Sequence, residues 1–539
     1  MILLDECRQP ESLPRAAPHL WERPLARVML AILSAAWLFG SLPAPDIGWL
    51  GWVALVPLLI AIDGLRPLHA ARLGLVTGTL ASFGIYGWLF EVPSFDMRHA
   101  IVLALYVGAY PAAWAAATAS LTRRRVPLIV AAPALWLVLD YLRAHAGFLA
   151  LPWGTLAQTQ HHNLAILQVA SLVGEHGVTF LVALGNAAVA GLFLRQARQS
   201  VLITALMLIL AHVWGAAVLS GDPQRPTIMV TAIQPNIQIN ERKTEAGRHA
   251  NLTRLEQLTR EAAIARPALI VWPESAIPGD LLSDSLLTDR VQRLSDQTGI
   301  PLMLGAAEVE KFATGTATLS IGRRAFNAAH FFRPQEPPAP AYRKRVLVPF
   351  AEYLPHPAII PWPEWLAPRV MELTPGDQTQ LFTASPTISI GTLICWENLF
   401  APLARESVNN GALLLVQLTN DVWFGRSAAP WQHNLMSVMR AVENRTPLVI
   451  ASNTGPSQLI DGYGRVIAGT TNLFAAGFVT GSAQLGTGGT LYSAVGDLAL
   501  LLLLLPIVSC GLWQRIGECL NPFPGQTPTE ESEPNASTV

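Results

Sequence analysis

Residues 387–397 read Thr-Ile-Ser-Ile-Gly-Thr-Leu-Ile-Cys-Trp-Glu. The run from Thr387 to Leu393 is β-branched and aliphatic, which predicts a strand; it runs into Ile394-Cys395-Trp396-Glu397, and a helix is expected from about residue 399. Strand patterns at 227–233, 268–272, 301–306, 317–323, 327–332, 412–417, 447–452 and 457–468 lie on either side of this segment. They are interleaved with helical patterns at 247–264, 283–297 and 430–443. Strands alternating with helices predict a layered α/β domain whose chemistry sits at strand ends. The Gly-rich stretch 477–489 reads as a linker.

Composition separates this block from what precedes it. The chain has 539 residues, 51% hydrophobic and 14% charged, against roughly 25% charged in soluble proteins. Residues 221–489 hold 44 charged residues and 26–220 only 16, about 16% against about 8%. Apolar stretches recur at 26–43, 47–63, 72–91, 100–120, 126–143, 176–195, 200–219 and 490–514, each near the ~20 residues a helix needs to cross a bilayer. Eight transmembrane helices are therefore expected. The implied domains are a segment at 1–25, a seven-helix membrane domain at 26–220, the α/β domain at 221–485, an eighth span at 490–514 and a polar tail at 515–539. No small-residue cleavage site follows the first stretch, so a signal peptide is not expected.

Arginines set the orientation. Arg8, Arg15 and Arg23, Arg66 and Arg72, Arg123 to Arg125, and Arg195 and Arg198 fall in alternate connections. By the positive-inside rule the N-terminus is cytoplasmic and the α/β domain lies beyond the membrane. Asp140 and Glu175 fall near span ends, where an interfacial role is favoured over substrate contact. Trp153 reads as an interfacial anchor.

A net charge of −1 gives no reason to expect nucleic acid as a partner. No Gly-rich phosphate loop opens a helix and no pair of histidines has zinc-ligand spacing, so no cofactor and no metal are expected. His433 reads as structural. The cysteines are Cys7, Cys395, Cys510 and Cys519, and under this topology Cys395 has no partner on its own side. It is either a buried small hydrophobe or a nucleophile.

Nucleophilic attack needs a thiolate, hence a base or a neighbouring cation. Glu274 ends a strand in Trp272-Pro273-Glu274-Ser275, where apolar neighbours can desolvate the carboxylate into a proton acceptor. A cap or salt-bridge role is the alternative. Lys344, in Tyr342-Arg343-Lys344-Arg345, is one of three lysines against 33 arginines. Its compact ammonium suits a developing oxyanion.

The order Glu274, Lys344, Cys395 resembles the Glu-Lys-Cys triad of the nitrilase (carbon–nitrogen hydrolase) superfamily. With the membrane stretches it is similar to the bacterial apolipoprotein N-acyltransferases. The motifs that carry this are Ala232-Ile233-Gln234-Pro235-Asn236-Ile237, Trp272 to Ser275, Lys344-Arg345 through Val348-Pro349-Phe350-Ala351-Glu352-Tyr353, Cys395-Trp396-Glu397, Asn420-Asp421-Val422-Trp423-Phe424-Gly425 and Pro430-Trp431-Gln432-His433.

The resemblance implies a nitrilase-like αββα sandwich on the periplasmic side of the inner membrane. It implies transfer of an acyl chain from the sn-1 ester of a phospholipid, phosphatidylethanolamine for example, through a Cys395 thioester to the α-amine of a diacylglyceryl-cysteine apolipoprotein. Glu274 would be the general base and Lys344 the oxyanion donor, with Glu352, Glu397 and Trp396 in support. The family often has Gly where Ala351 stands, Tyr where Trp396 stands, and a Trp within 234–246, where Lys243 lies instead. A membrane-tethered hydrolase of small C–N substrates would carry the same triad.

The loop Leu354–Met371 holds Ile359, Ile360, Trp362 and Trp365 with five prolines. That is too apolar for water, and it reads as a membrane-dipping arm beside the acyl-chain entrance, with a packed structural loop as the alternative. These four residues, with Trp423, are the expected lipid contacts.

Overall fold

The computed structural model describes residues 20–194, 198–221, 225–314, 320–366 and 371–500. Most of the expected N-terminal segment and of the eighth stretch, the tail, and Cys7, Cys510 and Cys519 lie outside the described residues.

Eight helices occupy the apolar region: α1 Pro24–Gly40, α2 Val56–Ile62, α3 Pro67–Ile85, α4 Met97–Arg123, α5 Leu128–Ala144, α6 Leu164–Leu167, α7 Ala170–Phe193 and α8 Arg198–Ser220. Three of them, α4, α7 and α8, are long and apolar enough to cross a membrane. The second stretch, 47–63, is a short helical turn Gly48–Trp52 followed by the seven-residue α2. Pro57 lies in its first turn, where a missing N–H costs nothing. Helix α7 breaks at Val173 and Gly174, and Gly174 has φ +73°. A Cβ there would sit 2.5 Å from the Tyr492 ring, so glycine is required on both counts.

The α/β region forms two sheets. Strands β1 Thr227–Gln234, β2 Leu269–Val271, β3 Ile277–Asp280, β4 Leu302–Thr314, β5 Ser320–Phe332 and β6 Ala339–Arg343 build the first; β7 Leu381–Ser385, β8 Ile388–Ile394, β9 Leu414–Thr419, β10 Leu448–Ser452, β11 Gln458–Ile460 and β12 Val466–Gly469 build the second. A last strand, β13 Gly477–Gln484, pairs antiparallel with β1 over its whole length. In the first sheet the order is β13-β1-β2-β4-β5-β6, with β3 beside β4. In the second it is β12-β11-β10-β9-β8-β7, with β8, β9 and β10 parallel.

Side-chain alternation along the strands assigns the layers. Leu269 and Val271 of β2 face Leu414, Val416 and Leu418 of β9 in the core between the sheets. Ile270 points the other way, into a core shared with α9 Glu245–Ala263 and α10 Ser285–Thr298. Leu415, Leu448 and Ile450 belong to a third core continuous with the membrane helices. The layers are thus α9 and α10, two sheets, then α11 Ala401–Asn409 and α12 Ala429–Asn444. The αββα sandwich expected from the resemblance is present.

The two helical layers differ in what covers them. Helix α9 buries Leu252, Leu255, Thr259 and Ala262, one stripe at helical spacing. Every residue of α12 except Trp431 is buried, because α12 lies between the second sheet and the membrane helices. Arg440 on α12 donates to Glu175 Oε2 at 2.8 Å, pairs with Glu443 at 2.7 Å, and donates to the carbonyls of Asn398 and Leu399. Glu175 Oε1 accepts from Thr155 and Gln158, while its backbone N–H, freed at the α7 break, donates to Glu443 at 2.9 Å. Glu175 is therefore a junction residue rather than an interfacial one. Asp140 is likewise buried, with Arg143 at 2.8 Å and His176 at 3.4 Å.

Several sequence expectations need revision. The patterns at 301–306, 317–323 and 327–332 belong to one long β4–β5 hairpin. The run 457–468 is two strands, turned where Asp461 accepts from the backbone of Tyr463 and Arg465. The Gly-rich linker contains β13, since edge pairing uses backbone groups and tolerates small side chains. Strands β3, β6 and β7 had no signal strong enough to read. α13 Leu491–Val495, capped by Thr490, opens the eighth apolar stretch.

The Arg440 cluster buries two carboxylates against one guanidinium, and burial with Glu175 close by pushes Glu443 up to about 7. Breaking a buried pair at one end costs about 3–5 kcal/mol. Arg440→Met should accordingly lower the thermal midpoint of the detergent-purified protein by many degrees, and Glu443→Gln by much less. In the fold Glu443 releases its proton near 7, against 4.5 ordinarily. It therefore favours the fold fully below 4.5 and loses that contribution as pH rises through 7. Glu443→Gln should flatten this part of the stability–pH curve.

Candidate active site

Three strand ends converge. Glu274 follows β2 after Trp272 and Pro273; Trp272 is fully buried, and its indole donates to Thr259 at 2.9 Å. Gly305 on β4 lets the chain pass close by, since a Cβ there would lie 2.6 Å from Glu274 Cα. Lys344 is the first residue after β6, and its N–H donates to the Asn327 carbonyl on β5 at 2.8 Å. Cys395 follows β8 and opens a short helical turn, Cys395–Leu399, with φ +50°. That left-handed backbone is costly for a residue with a side chain, and such strain clusters at functional sites.

The charges are arranged around the lysine. Lys344 Nζ lies 2.9 Å from Glu352 and 3.8 Å from Glu274, with its side chain wholly enclosed. Asn327 Nδ2 donates to both carboxylates, at 2.6 Å to Glu274 and 3.2 Å to Glu352. Glu352 also accepts from the Val348 N–H at 2.7 Å. Burial alone would pull the lysine pKa down, but the carboxylates of Glu352 and Glu274 oppose it, and the net shift is upward. Lys344 is thus a permanent cation. Burial is also the main reason that Glu274 is raised, with Lys344 opposing. Cys395 is held well above the usual thiol range by burial and then by Glu274, so it rests as a thiol.

Glu397 fixes the nucleophile's turn to the lysine's segment. Its carboxylate accepts from the N–H groups of Ile394 at 2.8 Å and Arg345 at 2.6 Å, and from the Tyr342 hydroxyl at 2.9 Å. His433, which sequence reading set aside as structural, is buried with Nδ1 3.0 Å from Asp421 and Nε2 3.3 Å from the Cys395 carbonyl. Trp153 is buried too and is no interfacial anchor. Its carbonyl accepts from Tyr86 and Arg143, its indole donates to Gln432 at 2.8 Å, and its ring stacks on Trp396 and His433. His433 is thus the satisfied structural residue it was read as, while Asn327, Tyr342 and the buried setting of Trp153 are what sequence reasoning missed. Only Tyr342 lay inside a quoted motif next to a triad residue.

The apolar loop lies against the helices. Trp362 packs on Phe148 and Phe350, and Trp365 packs on His99 beneath the Arg98 guanidinium. Ile359 is 81% exposed, Trp423 is 42% exposed, and Ile360 is half-buried. Val370 lies outside the described residues. Lys243 is exposed, whereas its neighbour Arg242 lies near enough to Glu274 to feel its charge.

Glu, Lys and Cys at adjoining strand ends of an αββα sandwich define the carbon–nitrogen hydrolase class, and a family model described as carbon-nitrogen hydrolase matches residues 229–491. A second, described as apolipoprotein N-acyltransferase N-terminal domain, matches residues 34–188. The apolipoprotein N-acyltransferase of Geobacter metallireducens is 34% identical over 493 residues, covering 88% of this chain and 92% of that protein. That of Gloeobacter violaceus is 30% identical over 502 residues, covering 88% and 91%. A Saccharomyces cerevisiae member of branch 10 of the nitrilase superfamily, solved by crystallography, is 18% identical, covers 50% of this chain and 94% of its own, and gives a TM-score of 0.36. The chain belongs to the apolipoprotein N-acyltransferase family.

The raised thiol has a direct test. Free cysteine titrates near 8.5, and each unit above that removes about 90% of the thiolate. At pH 8 iodoacetamide should modify the peptide containing Cys395 at least ~10-fold more slowly than free cysteine, with the rate still rising above pH 9. Modification at the free-cysteine rate would show a thiolate already formed.

Proposed function

We propose that this enzyme moves a fatty acyl chain from the sn-1 ester of a phospholipid, such as phosphatidylethanolamine, to the α-amine of a diacylglyceryl-cysteine apolipoprotein, by way of a thioester on Cys395. The observation that carries the mechanism is one buried cluster in which a resting thiol, a desolvated carboxylate and a permanent cation adjoin. Glu274 takes the thiol proton as sulfur attacks the ester carbonyl. The oxyanion that forms is stabilised by Lys344, whose charge Glu352 holds in place. Collapse expels the lysophospholipid alkoxide, which recovers the proton from Glu274. The lipoprotein amine then attacks the thioester, Glu274 accepts its proton, and the departing sulfur takes it back as thiol. Glu397 and Trp396 keep the nucleophile's turn in position.

The bilayer supplies the lipid. Arg123, Arg124 and Arg125 lie at the α4–α5 connection, while Pro43 after α1, His99 in the first turn of α4 and the loop holding Trp153 meet the α/β domain. This supports an inner-membrane protein with eight spans, with residues 1–25 and 515–539 cytoplasmic and the catalytic domain, 221–485, periplasmic. In this arrangement Ile359, Ile360, Trp362, Trp365 and Trp423 border the acyl-chain entrance. Enclosure also matters because a thioester must be kept from water until the amine arrives.

Incubating the purified enzyme with phosphatidylethanolamine alone should give a hydroxylamine-sensitive acyl adduct by intact mass, absent from Cys395→Ser. No adduct on the parent, or an equal one on the variant, would refute the mechanism. Lys344→Arg should reduce turnover at least ~100-fold although charge is kept, in line with loss of an oxyanion donor. Lys344 is fully enclosed and a guanidinium places its charge differently from a compact ammonium; near-parental turnover would remove Lys344 from the mechanism.

A further inference from the structure

Away from the triad, two outer connections of the helical module meet side by side. The segment after α1 passes so near the Trp153 loop that a Cβ on Gly48 would lie 2.6 Å from the Thr159 carbonyl oxygen. Gln160 donates to the Gly48 carbonyl at 3.1 Å and accepts from the Trp52 indole at 2.6 Å. This framework holds three side chains together. Asp46 Oδ1 lies 3.1 Å from His161 Nε2, and Asp46 Oδ2 lies 3.0 Å from His162 Nε2. The imidazoles are 3.9 Å apart between ring centres.

Hydrogen bonding specifies the chemistry of this group. His161 Nδ1 is 3.1 Å from the Gln158 carbonyl oxygen, an acceptor, so Nδ1 carries the proton. In the neutral ring Nε2 then presents a lone pair to a carboxylate oxygen, which among the described residues is buried and receives no hydrogen bond. Either a proton on Nε2 or a metal ion between the two atoms satisfies both lone pairs. A carbonyl-bound Nδ1 is also the support that metal-ligating histidines ordinarily have. Ligand atoms 2.0–2.2 Å from a common tetrahedral zinc ion stand about 3.3–3.6 Å from one another; here one ligand atom from each of Asp46, His161 and His162 lies within 4.8 Å of the others, so a shift of a few tenths of an ångström would seat the ion.

We propose that Asp46, His161 and His162 form a binding site for one divalent transition-metal ion of the zinc class. Two imidazoles and a carboxylate favour such an ion over magnesium or calcium, which take oxygen ligands. Three ligands leave one position of a tetrahedron for water, on the side of His162, whose side chain is 71% exposed. The ion would pin the segment after α1 to the loop carrying Trp153. Both connections also contact Gln432, through the Pro43 carbonyl and the Trp153 indole. The site escapes sequence inspection because its histidines are adjacent and its aspartate comes from a different connection.

The test uses the full-length chain in detergent, tag removed and stripped with a chelator. Zinc chloride should bind at one equivalent per chain by calorimetry and elemental analysis and should raise the thermal midpoint by several degrees. Cobalt(II) should give visible absorption bands of a tetrahedral site. His162→Ala, at an exposed position, and Asp46→Asn should each weaken zinc binding at least tenfold while keeping the midpoint of the stripped parent. If either variant fails to fold, the other decides. A hundredfold excess of magnesium should leave zinc binding unchanged. Less than a tenth of an equivalent on the parent, equal binding by both variants, or displacement by magnesium would overturn the proposal.

Discussion

A lysine ammonium with no exposure to solvent has to be neutralised where it stands, and the architecture of the site follows from that requirement at Lys344. Transferring an ion from water to a protein interior costs several kcal/mol even after relaxation, and only close partners offset it. Glu352 supplies the contact at 2.9 Å, and a backbone N–H and the Asn327 amide hold its carboxylate. Glu274, at 3.8 Å, is left less tightly bound. The difference separates the roles of the two carboxylates: one is committed to the cation, the other is desolvated and available to a proton.

The same economy extends to the nucleophile. Cys395 occupies a left-handed backbone conformation that would relax if the turn were free, and Glu397 prevents this by binding the N–H before the cysteine and the N–H after the lysine. On the opposite side Arg440 reaches the carbonyls of residues 398 and 399 while paired with Glu175 of α7. The nucleophile's turn is therefore clamped between the lysine strand and a membrane helix, and a shift of α7 would be felt at Cys395 through a single side chain.

How much of this was legible depended on the kind of signal. Strands buried on both faces, such as Leu414–Thr419 and Leu448–Ser452, announce themselves by composition, as do β2 and β8, which lead into Glu274 and Cys395; β6, which leads into Lys344, does not. Edge strands do not: β13 is Gly-Phe-Val-Thr-Gly-Ser-Ala-Gln, and its pairing with β1 rests on backbone groups that no side-chain pattern records. Asn327 was invisible for another reason: no local pattern singles it out, and its importance comes from Glu274 and Glu352, which lie far from it along the chain. In the apolar stretch 47–63 hydropathy does not register the break between the turn Gly48–Trp52 and α2, which restarts at Val56. Trp153 misled because position in an outer loop predicts exposure, whereas the α/β domain roofs that loop over.

The pairing of β13 with β1 joins the last strand of the sandwich to its first. During synthesis β1 emerges early, and its far edge stays open while the segment up to Gly477 is made. At roughly 5–20 residues per second that interval is on the order of ten to fifty seconds. An unpaired strand edge is an invitation to foreign chains. The enzyme thus has a vulnerable adolescence at the membrane surface, and the small, glycine-rich strand that ends it is the piece whose arrival seals the domain.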